Sequence, residues 1–335
     1  MEFFVSFGAF LVGLAALKYL YSDSVVKVVV VSAPTPQPDP QPDLQPDPQP
    51  DPQPDPIPSP PPEVKSKWLG DVAWETVEQN PDPMVVTDAA ARDRMTATKL
   101  PWKIRENATG IVMLLVPPGE FMMGSPENEA DRRENETQHR VTISKAFYLS
   151  QTPLSQQAWL KVMDKNPSEF KGRQNPVETV SWDDCQAFCG ATGLRLPSEA
   201  EWEYACRAGT TTPFSFGTKI TPQQVNYDGN FPYGNASKGL YRQKTVVCGS
   251  LPSNQWGFRE MHGNVWEWCQ DGYSEAASTT QTAVETEIGR RVLRGGGWNW
   301  VAHRCRASFR YDTTPSSPRA SRSGDIGCRV ARTSD

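Results

Sequence analysis

Thiols and imidazoles are the side chains here whose spacing can be read for nucleophilic or metal chemistry. All seven cysteines lie after Trp182, at Cys185, Cys189, Cys206, Cys248, Cys269, Cys305 and Cys328. No two form a CxxC pair, and the chain has three histidines, so a zinc centre of paired thiolates or of histidines is a poor reading. An odd count cannot be fully paired within one chain. Cys185 and Cys189 stand four apart on a predicted helix and share a face, as packing residues or as a bridge. The remaining thiols lie in apolar, motif-rich stretches and read as small buried residues. An odd number of thiols fits a reducing compartment. Net charge is −5, from 34 basic and 39 acidic residues. No basic excess is available to hold a phosphate backbone, so nucleic acid is not an expected partner.

The elements that must position these groups fall into four expected segments. Residues 1–32 form a hydrophobic anchor and its flank. Phe3–Leu17 is uncharged and mostly apolar, and Lys18, Tyr19 and Tyr21 follow it, residue types that settle at a membrane interface. A single-pass N-terminal membrane anchor is therefore expected. Lys18 and Lys27 lean toward a cytoplasmic body without fixing the membrane side. Residues 33–63 repeat the unit Gln-Pro-Asp-Pro and hold 15 of the 31 prolines. Proline fixes φ and removes donors, so this segment reads as an extended polyproline II spacer. Residues 64–109 read as a polar lead-in, partly helical near Asp88–Met95.

From residue 110 to 332 the sequence reads as one compact body. β-like runs occur at Ile111–Val116, Val141–Ile143 and Phe147–Leu149, and Pro117, Pro118 and Gly119 turn the chain into Phe121–Met123. Two capped helices are predicted: Ser181–Cys189, with Asp184 three residues after its cap, and Ser198–Arg207, with Glu201 closing a capping box. Trp266 and Trp268 alternate with Glu267 as on a strand. Three glycines at 295–297 allow close backbone approach or positive φ. Few strong helices, many loops and 11 tryptophans predict an irregular α+β body with a small antiparallel sheet and two short packed helices.

Six stretches in order, LVPPGEFMMGS (Leu115–Ser125), NPVETVSW (Asn175–Trp182), GLRLPSEAEWEYA (Gly193–Ala205), GNVWEW (Gly263–Trp268), RVLRGGGW (Arg291–Trp298) and GCRVA (Gly327–Ala331), carry a resemblance. Together they resemble the formylglycine-generating enzyme family, the sulfatase-modifying factors, over residues 100–332. The resemblance implies a C-type-lectin-like fold. It implies a calcium site at Glu260, Gly263, Val265 and Glu267, two carboxylates and two carbonyls suited to a hard cation. A second family calcium site begins at Asn226 and Tyr227, but Lys238 stands at its carboxylate position. An ammonium repels a cation, so that site is expected to be empty.

The family's enzymes, by the same resemblance, oxidise a sulfatase cysteine to formylglycine at a pair of thiolates that binds Cu(I), a soft ion. The matching stretch here, Gly295 to Pro315, holds only Cys305, with His303 near it in sequence. That argues against copper and against the oxidase, with Cys305 the one catalytic candidate. The expected role is a membrane-tethered, non-oxidase binding or accessory protein. Its site is expected among Trp298, Asn299, Trp300, His303, Arg306, Phe309, Arg310 and Tyr311, because aromatics and arginines give large contact area. The ligand would be a protein, peptide or glycan. Two alternatives are an oxidase with altered copper ligation and a retroelement-diversified binding protein, whose variable positions would fall within Trp298–Asp325.

Overall fold

The structure, a computed structural model, describes residues 73–275, 279–283, 289–312 and 322–334, and the backbone of 4–5, 16–22 and 25–31. The chain divides into two units, residues 1–59 and 60–335. In the first, β1 (Phe4–Val5), β2 (Ala16–Ser22) and β3 (Val25–Val31) form an antiparallel set in that order. Most of the expected anchor Phe3–Leu17, and the Gln-Pro-Asp-Pro spacer, lie outside the described residues. Among the described residues no helix is long and apolar enough to cross a membrane.

The second unit begins with β4 (Trp74–Glu78), α1 (Ala89–Ala97) and β5 (Lys103–Glu106). It continues through β6 (Val112–Val116), β7 (Gly119–Met123), β8 (His139–Ile143), β9 (Phe147–Ser150) and α2 (Gln156–Val162). Then come α3 (Trp182–Thr192), α4 (Glu199–Arg207), β10 (Trp266–Gly272) and β11 (Arg291–Arg294). It ends with β12 (Tyr311–Asp312), β13 (Ile326–Gly327) and β14 (Ala331–Thr333).

The largest sheet is antiparallel, ordered β14-β9-β6-β5-β4. Its central strands are almost continuously apolar, VMLLV in β6 and FYLS in β9, and are buried along nearly their whole length. A second sheet is ordered β12-β11-β10-β13, with β13 parallel to β10, and β7 and β8 make a separate hairpin. β4 and β5 join the main sheet, and Ala91 and Met95 of α1 are in the core, so the segment read as a lead-in is built into the body.

The helices start where their caps dictate. Asp88 caps α1 and Ser155 caps α2. Ser181 with Asp184, and Ser198 with Glu201, make the two reciprocal capping boxes on α3 and α4. α3 ends at Gly193 in the left-handed conformation. α4 is buried on all sides, and its charged residues are held by buried partners rather than by water.

Glu203 of α4 accepts from Arg207 Nε at 2.8 Å, from the Gly124 amide at 2.9 Å and from Arg294 Nη2. Arg294 in turn donates to the carbonyls of Ala307, Ser308 and Phe309 at 2.8, 3.1 and 2.7 Å. Glu199, one turn earlier on α4, holds Arg310 through two bonds of 2.7 and 2.9 Å. Breaking a buried ion pair strands its partner in a low dielectric. Glu203→Ala is therefore expected to lower unfolding stability by about 3–5 kcal/mol, read as a shifted denaturant midpoint. An unchanged midpoint would show that Arg294 finds another partner.

Candidate functional site

Three loops meet at the motif residues, laced by backbone bonds. The Gly263 amide donates to Gly295 O at 2.7 Å, Asn264 to Asn226 O at 2.8 Å and Trp298 to Asn264 O at 2.9 Å. This approach needs glycine. Gly263 has φ +71°, and a Cβ there would stand 2.3 Å from the Asn226 carbonyl oxygen. From this junction the chain runs through residues 297–310 as irregular backbone with one short 3₁₀ turn, Ala302–Cys305, before β12.

The expected binding residues divide into two groups. Trp298, Trp300, His303 and Tyr311 are half-buried, and Asn299 is exposed. Trp298 donates to Gly324 O at 3.0 Å, stands edge-on to Phe170 and stacks with Tyr241, with ring centroids 5.2 and 6.1 Å away. Trp300 donates to Asp325 at 2.5 Å, and both Trp300 and Tyr311 pack on the fully buried Trp266. These rings therefore have fixed orientations, each with part of its surface open.

Arg306, Phe309 and Arg310 are not on that face; all three are buried. Arg306 forks onto Glu136 with two 2.7 Å bonds and reaches Glu129 at 2.6 Å. Arg310 is engaged by Glu199 as described above. Their guanidiniums point inward because carboxylates far away in sequence sit there. These bonds tie the loop to the body from within.

Cys305 is also sealed inside. Its apolar surroundings are Phe214, Ile220, Val225, Tyr227, Tyr233 and Ala302, with no second thiol among them. A Cβ on Gly296 would lie 2.6 Å from its sulfur. Burial pushes the thiol up to about 12, against the thiolate that Cu(I) ligation requires. His303 is turned toward the Phe309 ring, 6.1 Å between centroids. The residues present do not fit a two-thiolate copper site.

Of the expected calcium ligands, the carboxylates of Glu260 and Glu267 are engaged internally. Glu260 accepts from the amides of Gly249 and Leu251 at 2.9 and 3.1 Å. Glu267 accepts from Trp202 Nε1 and Arg329 Nε, both at 2.6 Å, and from Arg329 Nη2 at 2.9 Å. Arg329 also donates to the Glu260 carbonyl at 3.3 Å. A guanidinium already supplies the positive charge between these residues, so the set fits an internal ion pair better than a calcium cage. At the second calcium position Asn226 donates to Lys244 O and Asn264 Oδ1 at 2.9 and 3.1 Å. Its Oδ1 is buried without a partner, and Lys238 is exposed.

Beneath Cys305 lies a group that sequence reading missed. His262 Nδ1 donates to Cys305 O at 2.7 Å, while Nε2 faces the Ser215 amide at 3.1 Å and its hydroxyl at 3.0 Å. One nitrogen donates to a carbonyl and the other accepts from an amide, which describes a neutral ring. Burial lowers its pKa to about 4. Two arginines, Arg133 and Arg304, were likewise missed; Arg304 lies inside a motif-matched stretch, but nothing in sequence links Arg133 to it.

The sheet, the short capped helices and the long loops held by buried arginines define a C-type-lectin-like α+β domain with an aromatic face. Residues 101–334 match the sulfatase-modifying factor enzyme 1-like domain, and the chain belongs to that family. It is 30% identical over 208 residues to the bovine (Bos taurus) protein named inactive C-alpha-formylglycine-generating enzyme 2, covering 60% of this chain and 64% of that one. It is 33% identical over 204 residues to the mouse (Mus musculus) formylglycine-generating enzyme, covering 58% and 53%. Among solved structures, PvdO from Pseudomonas aeruginosa superposes with a TM-score of 0.59 at 29% identity, covering 69% of this chain and 98% of that one. The chain thus spans under two-thirds of the length of either mammalian relative.

Two measurements follow. A histidine whose folded pKa is depressed resists the protonation that the unfolded chain accepts, so stability is full above about pH 6.5 and falls toward pH 4. The expected loss is about 3 kcal/mol across that window, read by denaturant unfolding, and His262→Gln should flatten the slope. Cys305 is expected to resist iodoacetamide at pH 8 in the native protein and to react once unfolded; native labelling by peptide mass mapping would contradict the sealed thiol.

Proposed function

We propose that this protein is a membrane-tethered, non-oxidase member of its family, a binding or accessory domain. Trp298, Asn299, Trp300, His303 and Tyr311 form the contact face, and a protein, peptide or glycan is the ligand. One observation carries the reading: the loop that holds catalytic thiolates in the family's enzymes here turns its single cysteine into an apolar pocket and leaves the rings of Trp298, Trp300 and Tyr311 partly open. Rings fixed by packing lose little entropy when a ligand covers them. The relatives support either chemistry, since one bears the name of an inactive enzyme and another that of the enzyme itself. The tether is proposed from the apolar Phe3–Leu17 run and the proline-rich spacer that follows it.

With copper and oxygen supplied, a Cys-x-Pro-x-Arg peptide is expected to keep its mass; a product lighter by the conversion of thiol to aldehyde would overturn the reading. For a ligand recovered from a peptide or glycan array, Trp298→Ala is expected to weaken binding roughly 10-fold or more. Binding unchanged in both Trp298→Ala and Trp300→Ala would move the site elsewhere.

A further inference from the structure

One patch beside the aromatic face holds two guanidiniums that form no ion pair among the described residues. The Arg304 guanidinium lies 4.2 Å above the Trp300 ring, and 5.9 and 6.0 Å from the rings of Phe309 and Tyr311. Arg133, from the loop before β8, lies 4.7 Å over the same Phe309. Neither arginine has a carboxylate partner among the described residues. Of the acids around them, Glu129 and Glu136 hold Arg306, Asp312 pairs with Arg290, Asp325 accepts from the Trp300 indole and Asp228 from Asn230, while Glu134, beside Arg133 in the chain, forms no ion pair with it. Asp131 acts on His303. Arg304 Nε is buried without an acceptor. Burial, and then the charge of Arg133, depress the Arg304 pKa.

The Trp300 ring limits how the guanidinium can turn, and the edge formed by its Nη groups donates to no described residue. A coplanar carboxylate matches such an edge through two parallel bonds. We propose that Arg304 and Arg133, beside the half-open rings of Trp300 and Tyr311 and packed on the buried Phe309, form a subsite for the carboxylate of an acidic peptide. This rests on the binding reading above and gives its ligand a chemical class. A peptide is favoured over an acidic glycan because sugar hydroxyls need several free carboxylates and amides around them. Here Asp312 and Asp325 are already bonded, and among the residues assigned to the face Asn299 supplies the exposed amide.

The experiment is fluorescence anisotropy of a labelled hexaglutamate peptide against the full chain at fixed ionic strength, with hexaglutamine as control. Hexaglutamate is expected to bind and hexaglutamine not to. Arg304→Gln and the exposed Arg133→Gln should each weaken binding at least 10-fold, and Arg304→Lys, which keeps the charge but not the fork, by an intermediate factor. Equal binding by Arg304→Gln, equal binding of hexaglutamine, or preference for oligogalacturonate over hexaglutamate would each overturn the proposal. A neutral array ligand lost in Trp298→Ala but retained in Arg304→Gln would overturn the acidic subsite while leaving the binding face standing. Arg133→Gln, on the surface, keeps the test decisive if Arg304→Gln fails to fold.

Discussion

Buried guanidinium–carboxylate pairs hold this domain together where secondary structure does not. Arg294, Arg306, Arg310 and Arg329 are nearly or wholly excluded from water, and each meets a glutamate from a distant part of the chain. A long irregular segment has backbone carbonyls with no ladder to join, and burying them unpaired is costly. Arg294 satisfies three such carbonyls in succession at residues 307–309. Arg329 does the same for Ser150, Arg259 and Glu260. An arginine offers five donors in a fixed plane, enough to serve a carboxylate and several carbonyls at once, which no lysine can do.

This arrangement decides what the C-terminal loop shows to solvent. Glu136 and Glu199 draw Arg306 and Arg310 inward, and the residues between and around them are set in register by that anchoring. Cys305 falls on the inner side with its sulfur against Gly296. Trp298, Trp300 and Tyr311 fall on the outer side, braced by Phe170, Tyr241 and Trp266. The face proposed for ligand and the sealing of the thiol are thus two outcomes of one set of ion pairs.

Much of the frame was legible in local sequence. The caps at Ser181 and Ser198, each answered by an acid three residues on, predicted α3 and α4, and the apolar runs predicted β6 and β9. α2 was overlooked although Ser155 caps it and Ala158, Trp159 and Val162 share a buried face. β4 and β5 were overlooked because their polar residues read as lead-in, whereas their partners in the sheet make them strands. The site was harder. An arginine in an aromatic stretch looks the same whether it meets solvent or a glutamate 170 residues away. Arg306 and Arg310 were assigned to the surface for that reason, and the pairing of Arg133 with Arg304 across Phe309 had no signal at all.

The last residues of the body divide their allegiance. β13 pairs with β10 in one sheet, and four residues later β14 pairs with β9 in the other. Arg329, between them, carries the bond to Glu267. The segment works as a seam, because it supplies the last edge strand of both sheets. During synthesis β4, β5, β6 and β9 can pair early, but one edge of each sheet stays uncovered until this segment arrives, which makes the fold one of late closure.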